Sequence, residues 1–198
     1  MSECDLDNGM VDGGPDIDGE LEPTVEFVLN GTRQATRVAS NATLLGVLRD
    51  EFGCRGVRAS CERGVCGACT VLIDGEPVAA CSTFAFAVEG AEVETVEGLT
   101  GRDGTPSPAQ KGFTECGGFQ CGYCTSGMLM LTTGLLRRNP DPDRDTIRDW
   151  ISSNTCRCTG YEMIFESVER AADIARVTSP CGVDCACGDE ATVQGAVR

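Results

Sequence analysis

Apolar and polar residues alternate from Thr24 to Ala39 on either side of Asn30-Gly31. A period of two around that dipeptide predicts a hairpin of two antiparallel strands. Thr43 then stands as an N-cap before Leu44, Leu45, Val47 and Leu48, with Gly53 as the stop, which predicts a short helix. Thr70 to Ile73, Asp74-Gly75 and Pro77 to Ala80 repeat the hairpin signal, and Ala91 to Val96 supplies a fifth strand. Two hairpins around one helix, with a cysteine-rich loop before the second hairpin, predict a compact α+β domain over residues 23–100.

Residues 101–106 form a Gly/Asp/Pro connector, after which the period becomes helical. Ser107-Pro108-Ala109-Gln110 is a capping box with Pro at the first helical position, opening a helix that runs to about Glu115. Met128 to Leu136 reads as a core helix ended by Arg137, Arg138, Asn139 and Pro140. Asp143 caps a third helix carrying Ile147, Trp150 and Ile151. Thr159 to Glu162 predicts another capping box, followed at helical spacing by Tyr161, Ile164, Phe165, Val168, Ala171, Ala172 and Ala175. Four helices with one apolar face each predict a small bundle over residues 107–178. No internal repeat appears.

Charge narrows the class. The 198 residues carry 16 Lys plus Arg against 31 Asp plus Glu, a formal charge of −15, which repels nucleic acid and anionic membranes. Residues 1–22 hold acids and no base and read as a solvated acidic tail. No run approaches the roughly 18 apolar residues of a spanning helix, and the acidic start shows neither a secretory nor a twin-arginine signal. These features predict a soluble, cytoplasmic protein.

Cysteine alters the picture most, at 14 of 198 residues, and His is absent. In a reducing compartment such cysteines are metal ligands or redox groups before they are crosslinks. Without His, every His-containing zinc site, Rieske centres and His-based catalysis are excluded, so any soft metal ligands are thiolates. Cys61, Cys66, Cys69 and Cys81 are spaced C-x4-C-x2-C-x11-C, and the first three fit the plant-type pattern for a 2Fe-2S centre. Gly64 and Gly67 allow the tight turn that aims backbone N–H groups at sulfur. Cys121, Cys124, Cys156 and Cys158 form a C-x2-C followed by a C-x-C. Both of these pairs are expected at helix starts, where free N–H groups favour thiolates. A four-thiolate zinc site remains open for either set. Cys54 and Cys116 read as small buried hydrophobes. Arg55, Arg58, Arg63 and Arg157 gather beside the cysteines, either to offset cluster charge or to dock partners.

Three segments carry a family resemblance: Cys61-Glu-Arg-Gly-Val-Cys-Gly-Ala-Cys-Thr-Val, Phe119-Gln-Cys-Gly-Tyr-Cys-Thr-Ser-Gly-Met, and Asn154-Thr-Cys-Arg-Cys-Thr-Gly-Tyr161. In this order they resemble the iron-sulfur subunit of molybdenum hydroxylases, the family of xanthine oxidase, aldehyde oxidoreductase and carbon monoxide dehydrogenase. The resemblance covers about Thr24 to Ala175. It implies an N-terminal β-grasp ferredoxin domain followed by an all-α four-helix domain, each with one 2Fe-2S cluster. It also implies a large partner subunit binding molybdopterin and a medium one binding FAD. By position, Gln120 hydrogen-bonds the pterin and Cys158 brings its cluster nearest to it. Ser126 stands where the family commonly has Pro, and Thr155 where it has Leu; neither removes a ligand.

The expected function is electron relay from molybdopterin through two clusters to FAD, with no bond chemistry and no catalytic residue on this chain. The rivals are a free-standing ferredoxin-type carrier and a zinc-stabilised binding module. Cys181, Cys185 and Cys187 fall outside the resemblance, in a C-terminal tail over residues 179–198. They are either incidental surface thiols or an added metal site completed by Cys4, Asp184 or a partner subunit.

Overall fold

The hairpin dipeptides act as read. Asn30 and Gly31 take φ of 49° and 77°, and Asp74 and Gly75 take 50° and 84°, the left-handed pairs of a type I′ turn. In the computed structural model, which describes residues 23–178, these turns join β1 (Thr24–Leu29) to β2 (Thr32–Arg37) and β3 (Thr70–Ile73) to β4 (Glu76–Ala79). The registers close on Leu29 opposite Thr32 and Ile73 opposite Glu76. The readings made of residues 1–22 and 179–198, Cys4, Cys181, Cys185 and Cys187 among them, lie outside the described residues.

β5 (Glu92–Glu94) inserts between the hairpins, parallel to β1 and antiparallel to β3, to give one mixed sheet in the order β2-β1-β5-β3-β4. The Asn30 side chain fixes its exit: it accepts from the Thr95 N–H at 2.8 Å and donates to the Thr95 hydroxyl at 2.9 Å. Across one sheet face lies α1 (Leu44–Asp50), capped by the Thr43 hydroxyl on the Gly46 N–H at 3.2 Å. Its Leu44, Leu45, Val47 and Leu48 share a core with Phe27, Val71 and Val93. Three short 3-10 turns at Ala80–Ser82, Ala85–Val88 and Val96–Gly98 complete this half. Thr70, Val71 and Leu72 of β3 are buried, and α3 (Thr125–Arg138) covers the strand's second face.

The helical half forms α2 (Pro108–Cys116), α3, α4 (Arg144–Ile151) and α5 (Glu162–Thr178). The Ser107/Gln110 box closes in both directions, and the Asp143 carboxylate accepts from the Thr146 N–H at 2.8 Å. Phe113, Met128, Leu135, Ile147, Ile151, Ile164 and Val168 form the second core. The box expected from Thr159 to Glu162 does not form. Tyr161 takes a left-handed φ of 73°, so the helix starts at Glu162. The Thr159 hydroxyl instead accepts from the Tyr161 N–H at 3.2 Å, while Glu162 pairs with Arg144. No helix among the described residues is long and apolar enough to cross a membrane.

α2 and α5 approach closely at Gly112, where an added Cβ would stand 2.4 Å from the Ser167 carbonyl oxygen and 2.8 Å from the Ala171 nitrogen. Gly112→Ala is therefore expected to destabilise the protein by about 1–3 kcal/mol despite the better helix propensity of Ala. Chemical denaturation of the two proteins checks the sign.

Candidate metal centres

The first cysteine set is built by a loop and the end of a hairpin. After α1 the chain winds through residues 61–69 with Glu62, Gly64 and Gly67 at positive φ, which turns backbone N–H groups toward sulfur. Arg63 N–H and Cys66 N–H each donate to Cys61 Sγ at 3.4 Å, and Gly64 N–H donates to Cys81 Sγ at 3.2 Å. Cys69 lies buried just before β3, and Cys81 lies buried in the turn that follows β4. The N–H groups of Arg63, Cys66 and Val65 pull the Cys61 thiol down to about 6, while burial pushes Cys69 up to about 11.

The second set joins the start of α3 to the loop between α4 and α5. Cys124 is the N-cap residue of α3, as expected, whereas Cys158 lies in an irregular loop rather than at a helix start. Cys121 Sγ and Cys158 Sγ stand 3.6 Å apart. The Tyr161 hydroxyl accepts from the Cys156 N–H at 2.9 Å and donates to the Asn154 carbonyl at 3.2 Å. The Thr159 hydroxyl donates to Cys156 Sγ at 3.1 Å. Burial, with the Cys156 thiol beside it, pushes Cys124 up to about 12. Burial also opposes ionisation of Cys156, but the Thr159 hydroxyl and the Cys158 and Thr159 N–H groups outweigh it and lower that thiol. Cys121 is lowered by the Tyr123 N–H and then by Cys158, and Cys158 is raised in return by Cys121.

Among the described residues no three Cys, Asp or Glu side chains converge on one ion position. The sulfurs are arranged in twos: Cys61 with Cys66, Cys69 with Cys81, Cys124 with Cys156, and Cys121 with Cys158. Two thiolates on one tetrahedral metal with bonds of about 2.3 Å sit about 3.8 Å apart, close to the Cys121–Cys158 separation. Two such twos, with N–H donors on sulfur, suit a dinuclear anionic centre, so the donor sets fit a 2Fe-2S group.

The sets also touch. Thr155 N–H donates to the Cys66 carbonyl at 2.9 Å, and Cys66 lines a cavity of 230 Å³ together with Cys121, Cys124, Cys156 and Cys158. The motifs did not reveal this contact, because it is made by backbone. Gln120 is exposed beside Cys121, as are Phe119 and Tyr123. Tyr123 donates its hydroxyl to the Ala59 carbonyl and carries Arg58 at 5.8 Å from its ring centroid. Cys54 is buried and Cys116 only partly so.

Two linked four-cysteine sets, one beside a mixed sheet and one among helices, define a protein with two iron-sulfur modules. Residues 43–103 match the family described as a 2Fe-2S iron-sulfur cluster binding domain, and residues 95–169 match a [2Fe-2S] binding domain. The chain is 42% identical to the nicotine 6-hydroxylase small subunit of Paenarthrobacter nicotinovorans, over 73% of this chain and 86% of that one. It is 41% identical to the nicotinate dehydrogenase small FeS subunit of Eubacterium barkeri, over 76% and 95%. Quinoline 2-oxidoreductase from Pseudomonas putida superposes with a TM-score of 0.75 at 39% identity, over 79% of this chain and 97% of that one. This chain belongs to the small iron-sulfur subunits of molybdenum hydroxylases.

Tyr161 is the local keystone of the second set. Tyr161→Phe leaves the Cys156 N–H without its acceptor, and a loss of about 1–3 kcal/mol is expected. Iron retention under mild chelation should fall at the second set alone, a difference that iron analysis with EPR resolves.

Proposed function

We propose that the chain relays electrons one at a time from the molybdopterin centre of a large partner subunit to the FAD of a medium one. Cys61, Cys66, Cys69 and Cys81 hold one 2Fe-2S group in a β-grasp ferredoxin domain over residues 23–100. Cys121, Cys124, Cys156 and Cys158 hold the other in a four-helix domain over residues 107–178, with residues 101–106 between them. When bound, each group supplies a one-electron couple. The chain's own residues supply ligation, N–H donors to sulfur and a fixed spacing. The observation that carries the reading is the direct hydrogen bond between the two cysteine loops, from Thr155 N–H to the Cys66 carbonyl. A free carrier needs only one set.

The exposed edge formed by Cys121, Cys158, Phe119 and Gln120 is accessible to a partner. There Gln120 hydrogen-bonds the pterin and Cys158 is the ligand nearest to it. The named relatives support assembly into a complex, being themselves small subunits of a nicotine 6-hydroxylase and a nicotinate dehydrogenase. We place the complex in the cytoplasm, where thiols outside the clusters stay reduced.

Purified protein is expected to hold about four irons and about four acid-labile sulfides per chain, and on reduction to give two distinct spin one-half EPR signals. Two irons with stoichiometric zinc would overturn the second assignment.

The order of relay is tested in the complex isolated with its two larger chains. In Cys69→Ser, substrate should still reduce the second cluster but not FAD. In Cys124→Ser, neither the first cluster nor FAD should be reduced by substrate. FAD reduction at the normal rate in Cys69→Ser would show that the order is wrong.

A further inference from the structure

Asn154 is fully buried, yet neither its amide nitrogen nor its amide oxygen has a hydrogen-bond partner among the described residues. Its backbone is well held by contrast: its N–H donates to the Ile151 carbonyl at 3.0 Å, and its carbonyl accepts from the Tyr161 hydroxyl. The side chain is thus aimed by a rigid frame into a place where the protein leaves it unsatisfied. Buried amides in that condition are rare, because each unpaired end loses its hydration with nothing in return.

That place is the seam between the two cysteine sets. A Cβ added at Gly67, the neighbour of Cys66, would stand 2.9 Å from Asn154 Cα and Cβ. One added at Gly127, in the first turn of α3 after Cys124, would stand 2.5 Å from Asn154 Nδ2 and 2.3 Å from the Gly67 carbonyl oxygen. Asn154 itself precedes Thr155, the donor to Cys66, and lies two residues before Cys156. Three cysteine-bearing segments therefore close around one amide. The Gly67 carbonyl cannot serve Nδ2, since it already accepts from both the N–H and the hydroxyl of Thr70, at 3.0 and 2.7 Å. In the same first turn of α3, the Thr125 and Ser126 hydroxyls are also buried without a partner. Polar side-chain atoms on two of the three segments thus lack partners within the described residues, and an internal water takes two to four such partners.

We propose that Asn154 anchors ordered water in the seam between the two cysteine sets and thereby fixes the distance between them. It is a positioning residue for electron passage and ligates nothing. This rests on the two-cluster reading, which the iron count and the two EPR signals of the unaltered protein establish or refute on their own.

The test uses Asn154→Leu in the isolated complex. Leu has nearly the shape of Asn and no polar atoms. If the amide were only an unsatisfied filler, replacing it would raise stability and leave the seam unchanged. Anchored water predicts the opposite: a lower unfolding midpoint, and an altered magnetic splitting between the two reduced clusters while each keeps its own g values. A splitting identical to that of the unaltered protein, or a raised midpoint, would overturn the proposal. Gly127→Ala guards against failure of the first variant to assemble. It pushes on Asn154 Nδ2 and the Gly67 carbonyl without removing an anchor, so the splitting should weaken while both clusters remain. An unchanged splitting there would overturn the idea that this seam sets the distance. A crystal structure of the unaltered complex supplies the direct reading: density for water within hydrogen-bond distance of the Asn154 amide supports the proposal, and an amide with no such neighbour ends it.

Discussion

The hydrogen bond from Thr155 N–H to the Cys66 carbonyl is the constraint on which the arrangement depends. It joins two loops that are each crowded with thiols, in a chain of net charge −15, where like-charge repulsion would drive them apart. Each loop is pinned elsewhere first. The first is held between α1 and β3, where Arg58 N–H meets the Ala68 carbonyl and Ala80 N–H meets the Cys69 carbonyl, at 3.2 and 3.3 Å. The second leaves α4 through the Asn154 N–H and returns to α5 through Tyr161. With both ends fixed, one short backbone bond sets the register between the halves.

Packing of the sheet against the helices serves the same end. β3 presents Val71 to the sheet core, and it is buried on its other face as well, against α3. One element therefore packs on the sheet core and on a helix of the other half. α3 in turn is capped by Cys124 at its start and carries Arg137 in its last turn, whose guanidinium grips Glu94 on β5 at 2.5 and 2.8 Å. A helix clamped to the sheet at one end and to a cysteine at the other cannot rotate without straining both. That rigidity suits a relay, since the distance between redox groups has to be the same at every turnover.

Much of this was legible in the chain because the signals are local. Asn-Gly and Asp-Gly force their turns, and Ser107 and Asp143 cap their helices with side chains only three residues from the N–H they serve. The cysteine spacings announced both sets for the same reason. What failed or stayed hidden depends on residues distant in sequence or on backbone alone. The Thr159–Glu162 box has the right letters, but the left-handed turn at Tyr161, needed to reach the Cys156 N–H, overrides them. β5 could be foreseen as a strand, but not its place between the hairpins, because parallel pairing with β1 has no local signature. The seam at Gly67, Gly127 and Asn154 was invisible for a similar reason: an absent Cβ and a buried amide acquire meaning only when the segments meet.

The distribution of positive charge explains how such an acidic chain can bind anionic groups. Arg137, Arg144, Arg170 and Arg176 are engaged with acids of the sheet and helices. These half-exposed pairs contribute little stability individually, and their effect is to relieve repulsion among the acids. Near the cysteines Arg55 lies by Asp50, Arg58 spreads over the Tyr123 ring and Arg157 lines the cavity of the second set, but among the described residues no guanidinium donates to a sulfur. The sulfurs are met by dipoles instead: the N–H groups of Arg63, Gly64 and Cys66 in one set, and the Thr159 hydroxyl in the other. A backbone dipole adds no net charge and is not screened away by salt as an exposed ion pair is. It is also fixed by φ and ψ, so it neither swings nor exchanges when an electron arrives. The cost is that its direction is only as good as the loop that carries it. Potential, ligation and spacing thus all rest on the geometry of the same few turns, and the two loops have to be held together as firmly as each is held in itself.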